Sequence, residues 1–430
     1  VVAHNLILAL SGNRLPGRCP EWYGFVIEQN YFTRFFRRSF ATKIPAMDIC
    51  STFVSDFSVR KLDGPEAFAD LTAEWESLDE EIFPRTPFTS PSWICLWWQH
   101  FRRRTLLFRD EFFCHIVRDA DGRLVALVPL MRTFCLGLGL PAMRIVQFFG
   151  TDPSLTEFRG VICRPEDQDK VVRTLAEYFL RCHRDWDVFR WNGLRRPPSV
   201  YNSMAIGCEF LARHELPDYL VDLPDKWDKL RLHVSSNMRK NLRKAYESLE
   251  RDGLDFTLRV VRQPEDVPAA IERFLSLHLA RSEAADMVRH PNKFREPNAR
   301  AFLVAYLLRL AGRGQLCIFE LEVNREVVAS RLTFVLGSDL YMYFAGYDTA
   351  WKKYSVMTIL VAEMIKWAIE HSLQRVNLST GKDLSKLRWK PVEIGLHDAV
   401  QISPSLRGKL ASKGFLAYEA LSRIRVRLDR

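Results

Sequence analysis

Two basic clusters bracket one helix in the last third of the chain, and their residue types suit the binding of an anion. An apolar strand, Leu340–Tyr347, leads into a loop carrying Lys352, Lys353, Tyr354 and Ser355, where an amphipathic helix, Ser355–His371, begins. A helix start carries unpaired N–H groups and partial positive charge, so a phosphate-bearing ligand fits there. Lys352 and Lys353 either pair with such phosphates through charge-assisted bonds or are solvated loop lysines. Ser355 is of the type that caps a helix start. After the helix and a strand, Arg375–Leu378, come Gly381, Lys382, Asp383, Lys386, Arg388 and Lys390. Asp383 either takes a proton from an attacking amine, given a pKa raised by burial, or caps a short helix. Arg388 and Lys390 widen the positive field. Neither Ser379 nor Thr380 has a Ser-His-Asp setting, so no covalent nucleophile is expected.

Upstream, the helix Ser235–Asp252 places Arg239, Lys240, Arg243 and Lys244 on one side. They read as a contact for an anionic substrate or RNA, or as a solvated face in which Arg243 pairs with Glu247. His278, among Phe274, Leu275, Leu277 and Leu279, is a base or a hydrogen-bonded structural residue. Residues 282–297 lack periodicity and suit a flap over an acceptor site.

These residues need a scaffold, and the composition supplies one. The chain has 430 residues, 47% of them hydrophobic, enough for two or three domains. A net charge of +10 favours anionic partners without choosing among them. The nine cysteines are scattered and form no C-x-x-C pair, which fits reduced thiols in a cytosol and no zinc site. The longest apolar run, Leu124–Met131, is stopped by Arg132, far short of a membrane span. Residues 1–55 read as an N-terminal extension, disordered or upstream of a true start near Met47, and residues 1–50 have no role in the fold. Within them Tyr31–Phe40 mixes aromatics with arginines, as a membrane-surface helix would.

The pattern occurs twice. Glu111–Leu130 reads as a hairpin turning at Asp121-Gly122, and Gln315–Phe334 as a second turning at Asn324-Arg325. Each is preceded by two helices: Glu66–Glu81 and Pro91–Arg103, then Pro264–Arg281 and Asn298–Gly312. Each is followed by a strand, a helix and a strand. In the first half these are Arg144–Phe149, Gln168–His183 and Trp186–Asn192. Six elements in one order point to two related α/β modules, residues 56–215 and 216–402, and a basic tail, 403–430. Trp93, Trp97 and Trp98 read as core by their helical spacing.

The stretches Ser235–Ala245, Phe274–Arg281, Gly346–Asp348 with Tyr354 and Ser355, and Gly381–Asp383 with Lys386–Trp389 resemble the GNAT acyltransferases. The resemblance is to the CelD-like branch linked with bacterial cellulose and exopolysaccharide clusters. The tandem arrangement also resembles the Fem-type peptidyltransferases. The resemblance implies two tandem GNAT-like modules, each a mixed, mostly antiparallel sheet flanked by helices. It implies acyl transfer in the cytoplasm from acetyl-CoA or a longer acyl-CoA to an amine or hydroxyl of a small-molecule or saccharide acceptor. A membrane-associated biosynthetic complex is a further expectation; a metal and nucleic acid are not expected. Backbone groups of Phe344, Ala345 and Gly346 would hold the thioester oxygen and pantetheine, and Lys352, Lys353, Tyr354 and Ser355 the diphosphate. Asp383 and Lys386 would serve the chemistry, and Arg239, Arg243, His278 and Arg388 the acceptor. The chain departs from the pattern in having no glycine in the loop before the helix, where backbone must approach phosphate closely. Two other readings are a Fem-like transferase using aminoacyl-tRNA and a non-catalytic scaffold.

Overall fold

The computed structural model describes residues 52–54, 57–137, 140–152, 155–204, 209–284 and 291–413. The expected N-terminal extension up to residue 51, and the tail from 414, lie outside them.

The first half contains β1 (Thr52–Val54), β2 (Phe57–Lys61), α1 (Ala67–Glu81), α2 (Pro91–Phe101), β3 (Phe108–Phe112), β4 (His115–Arg118), β5 (Leu124–Val128), β6 (Leu130–Gly137) and β7 (Leu140–Phe148). It continues through β8 (Ile162–Cys163), α3 (Gln168–Arg181), β9 (Val188–Leu194), α4 (Pro198–Ser203) and β10 (Phe210–Asp222). The second half opens with α5 (Trp227–His233), α6 (Ser236–Arg251), β11 (Phe256–Val261), α7 (Val267–Glu283) and α8 (Pro297–Gly312). It ends with β12 (Leu316–Val323), β13 (Glu326–Leu336), β14 (Asp339–Tyr347), α9 (Val356–Glu370), β15 (Arg375–Thr380), α10 (Leu384–Leu387) and β16 (Val392–Ile402).

Both expected hairpins form. β4 pairs antiparallel with β5 from His115↔Val128, and β12 with β13 from Leu316↔Phe334. Asn324 and Arg325 both take positive φ, as a two-residue hairpin turn of matching twist requires. The hairpins differ in placement. β4 and β5 belong to a five-stranded sheet ordered β1-β2-β4-β5-β8, whereas β12 and β13 belong to an eleven-stranded sheet. The order of the latter is β11-β12-β13-β14-β15-β10-β16-β9-β7-β6-β3. Pro129, which has no N–H to donate, separates β5 from β6, and the ladder passes to the larger sheet there.

The middle of that large sheet joins the two halves. β10 pairs with β15 and with β16, and β16 pairs in turn with β9. A strand following the first half thus completes the sheet of the second, and the last strand returns to the first. Residues Glu215–Asp218 lie inside β10. A second joint is apolar. Trp93 of α2 is fully buried, with its ring centroid 4.8 Å from that of Phe302 and 4.7 Å from that of Tyr306 on α8. Trp97 and Trp98 are buried in the same core, which contains α1, α2, α7 and α8. A different core lies under α5, α6 and α9. At the end of the described chain, residues 406–413 are helical, with Ala411 buried and Arg407 3.2 Å from Asp187.

Candidate active site

The site begins where β14 leaves β15. The two are parallel only over Asp339↔Arg375, Leu340↔Val376 and Tyr341↔Asn377. Beyond Tyr341 the β15-facing edge of β14 has no strand partner among the described residues, while its other edge stays paired with β13 up to Ala329↔Tyr347. The register shifts between Arg331↔Ala345 and Thr333↔Met342, so Tyr343 and Phe344 together stand opposite Leu332. Such a bulge bends a strand and frees backbone groups from the ladder.

Phe344 belongs to this bulge, and Ala345 and Gly346 follow it, beneath α7. His278 Nδ1 donates to the Ala345 carbonyl at 3.1 Å, and Arg281 Nη1 approaches the same oxygen at 3.5 Å. Gly346 is what lets the helix come so near: a Cβ there would lie 2.4 Å from the His278 backbone nitrogen. His278 is buried among the rings of Phe274, Phe294 and Phe344. It serves the packing of α7 on β14, which is the hydrogen-bonded structural alternative, and the apolar face of α7 carries the imidazole inward.

The loop before α9 is a 3-10 turn, Thr349–Tyr354, with Asp348 Oδ1 accepting from the Ala350 N–H at 2.9 Å. Lys352 and Lys353 are exposed on it. Lys353 Nζ lies 3.9 Å from Asp252 and 4.5 Å from the centre of the Tyr354 ring. Tyr354 turns inward, and its hydroxyl donates to Asp252 Oδ2 at 2.8 Å, so this residue anchors the turn to the end of α6. Ser355 adopts φ 53°, ψ 40°, the left-handed conformation in which glycine was expected, and its side chain makes no capping bond. The Ser355 carbonyl instead accepts from Thr358 and Ile359, at 2.8 and 3.2 Å. The predicted serine cap is thus replaced by a strained serine turn. An exposed lysine pair at a helix start whose first amides have no intrahelical partner still fits a diphosphate.

On α10, Asp383 Oδ1 accepts from the Ser385 N–H at 2.7 Å, which is the capping alternative, and the residue is exposed. Lys386 Nζ donates to the carbonyls of Thr380, Ser379 and Gly381 at 2.6, 3.2 and 3.3 Å. Three acceptors use every proton of an ammonium, so Lys386 fixes the end of β15. Arg388 is exposed. Arg239 turns back to donate to the Val234 and Leu232 carbonyls at 2.6 and 3.2 Å, and Arg243 pairs with Glu247 at 3.4 Å. Both sit on α6, which packs with α9 in one core while α7 belongs to the other. The structure therefore brings Asp383 and Lys386 near the opening but leaves Arg239 and Arg243 across the sheet.

Residues the sequence did not single out line the opening. A segment from the first half, after β7, reaches in: Tyr343 Oη donates to the Leu155 carbonyl at 2.6 Å and Tyr341 Oη to Glu157 Oε2 at 2.5 Å. The Ser379 side chain also hydrogen-bonds to the Glu157 carboxylate. Burial raises the Glu157 pKa, against the pull of Tyr341, Ser379 and nearby Lys386. Asp218 of β10 is buried beside it, its own pKa also raised by burial, and accepts from Asn377 Nδ2 at 2.9 Å. A narrow cavity adjoins the cluster, lined among others by Phe158, Arg195, Asp218, Tyr341 and Thr380. On β13, Arg331 lies within electrostatic reach of Glu157, Arg281 and Asp383; burial, then Arg281, lowers its pKa to about 10. Nothing local marks Glu157, since its role depends on a contact 184 residues away.

The first half has a similar parting, with β7 parallel to β9 from Ile145↔Val188 to Gln147↔Arg190. There the chain fills its own opening. Gly193 has φ +65°, and a Cβ on it would meet the Arg159 carbonyl at 2.3 Å.

Residues 236–390 match the family described as "Acetyltransferase (GNAT) domain". The fold is a mixed α/β one, with large, mostly antiparallel sheets flanked by helices. One similar solved structure is that of FemX, with a TM-score of 0.51 at 10% identity, covering 76% of this chain and 95% of that one. Another is the C-terminal domain of a putative lysylphosphatidylglycerol synthetase from Agrobacterium fabrum, with a TM-score of 0.43 at 12% identity, covering 81% and 96%. A tandem GNAT protein from the clavulanic acid biosynthesis pathway has a TM-score of 0.41 at 11% identity, covering 81% and 99%. No curated protein matches the sequence. At 10% identity the likeness to FemX extends to the fold alone. Among the described residues no helix is long and apolar enough to cross a membrane.

Proposed function

We propose that this protein is an acyltransferase that moves an acyl group from acyl-CoA to an amine or hydroxyl, using the opening between β14 and β15 of the 216–402 module. The observation that carries the reading is the delivery of a carboxylate, Glu157, into the opening where β14 bulges and loses its partner. Acyl-CoA supplies a thioester carbonyl. Lys352, Lys353 and the first amides of α9 hold its diphosphate, and freed β14 amides hold its acyl oxygen. One such donor is typically worth about 3–4 kcal/mol of barrier.

Glu157 replaces Asp383 as the proposed base, since Asp383 is exposed and occupied as a cap. Its carboxylate takes the proton of the attacking amine as the C–N bond forms. The C–S bond then breaks, and the same proton passes to the departing sulfur, so the free thiol leaves and the carboxylate is restored. Lys386 positions the Ser379–Gly381 segment beside it. The filled opening of the 56–215 module supports its being degenerate. A saccharide acceptor in polysaccharide or envelope synthesis is the class the resemblance suggests.

A thermal-shift titration with acetyl-CoA and longer acyl-CoAs tests the donor. A ligand at a hundred times its Kd adds about 2.7 kcal/mol of stability. No shift at millimolar concentration favours the scaffold reading. One observation favours a second donor: Lys240, Arg243 and Lys244 are exposed on α6, which contacts the Thr349–Tyr354 turn. If aminoacyl-tRNA is the donor, a salt-sensitive tRNA complex forms that CoA does not displace.

A further inference from the structure

We propose that Arg331, flanked by Arg281, recognises an oxyanion, a carboxylate or phosphate, on the acyl acceptor. The inference rests on the transferase reading and adds the chemical class of the acceptor.

Arg331 lies on β13 opposite Ala345, under α7 and next to the bulge. It is partly buried, yet the protein leaves its guanidinium poorly matched. Nη2 reaches the Tyr343 carbonyl at 3.4 Å, and Nε is enclosed with no hydrogen-bond partner among the described residues. Glu157 and Asp383 act on it through space. No hydrogen bond joins either to Arg331 among the described residues; Glu157 accepts from Tyr341, and Asp383 accepts from the Ser385 N–H. The contrast lies in the same layer: Arg273, also on α7, forks onto Glu320 of β12 at 2.8 and 2.9 Å.

A second cation compounds the cost. Arg281 lies close enough to lower the Arg331 pKa, and burial depresses its own. Asp383 acts on both guanidiniums through space, and a further anion meeting the Arg331 fork would offset more of the cost of its burial. A planar fork with free donors suits a carboxylate or phosphate in two-point contact. The place argues for the acceptor rather than the donor. Arg331 shares its surroundings with Glu157 and Lys386, at the proposed reacting end, whereas Lys352 and Lys353 mark the diphosphate end. An amine bearing an oxyanion would then be tethered with its nitrogen toward Glu157.

The full chain is assayed with acetyl-CoA and matched amines: β-alanine against propylamine, and O-phosphoethanolamine against ethanolamine. The anionic member of a pair should be preferred in kcat/KM by about ten- to a hundredfold, the worth of one charge-assisted contact. The preferred pair tells carboxylate from phosphate. Arg331→Gln should erase the preference. Arg331→Lys, which keeps the charge and loses the fork, should keep part of it, and it serves as the test if the glutamine variant does not fold. Equal use of neutral and anionic amines, or an unchanged preference in Arg331→Gln, overturns the proposal. Calorimetry with β-alanine and O-phosphoethanolamine separates this failure from that of the transferase reading. If no amine is acetylated but an anionic probe binds and weakens about tenfold or more in Arg331→Gln, the anion site stands and the transferase reading falls. If neither probe binds the wild type, the anion site is overturned.

Discussion

Replacing Glu157 by glutamine removes a base while leaving its geometry almost intact. The amide oxygen still accepts from Tyr341 Oη, which now donates at 2.5 Å, and the amide nitrogen can donate to the Ser379 hydroxyl. A charge-assisted hydrogen bond becomes a neutral one, a difference of about 1 kcal/mol, so the melting temperature should fall only by a few degrees. Catalysis should fall much further, since a positioned general base is typically worth about 10²–10⁴ in rate. The assay is thiol release from acetyl-CoA in the presence of an amine, followed as kcat/KM against pH. Because burial raises the Glu157 pKa, the wild-type profile should lose activity on the acid side at a pH above the ordinary glutamate range. The charged and polar groups that set this limb are Tyr341 of β14, Ser379 of β15, Lys386 of α10 and Asp218 of β10. Glu157→Gln should lack the acid limb altogether. A variant within threefold of wild type at pH 7, with the limb unmoved, refutes Glu157 as the base and leaves it a structural link between the two halves.

Two further predictions concern stability. Gly346→Ala puts a methyl 2.4 Å from the His278 nitrogen and 2.6 Å from the Leu277 carbonyl carbon, so α7 must retreat by about 1 Å; a loss of about 1–3 kcal/mol in urea unfolding is expected, and less than 0.5 kcal/mol shows that the helix yields freely. His115 is fully buried against Phe113, Tyr178 and Phe179, and burial holds its pKa down to about 3. Its folded pKa is depressed, so stability is complete above the unfolded value near 6.5 and is lost as pH falls toward 3, by about 2 kcal/mol at pH 5. Unfolding at pH 7.5 and pH 5 measures this, and a His115→Leu variant with the same acid loss as wild type excludes the histidine as its source.

Much of the scaffold was legible because periodicity reports burial of a single face. The helix expected at Gln168–His183 is Gln168–Arg181, and the strand Leu340–Tyr347 is Asp339–Tyr347. Asp121-Gly122 and Asn324-Arg325 marked their turns through backbone conformation, a local property. β10 and β16 were not read as strands. Pro217 and the charges of Arg213–Asp218 obscure the first. The second does alternate, Val392, Ile394, Leu396 and Val400, and was legible in principle. Ser355 shows the limit of residue type as a guide, for it occupies the conformation reserved for glycine rather than capping with its hydroxyl.

The sequence by itself determined most of the elements apart from β10 and β16, their repeated order, the aromatic core around Trp93 and the pair of lysines before α9, because each depends on neighbours within one helix turn or one strand. Tertiary structure alone decided where each charged side chain is held and what surrounds it. Lys386 is closed onto three carbonyls, His278 is turned inward beneath its helix, and Arg239 is folded back on its own chain, while Glu157 and Arg331, far apart in sequence, come within electrostatic reach of one another. A charge becomes useful through what surrounds it when water is excluded, and that surrounding is assembled only when the two halves close on one sheet.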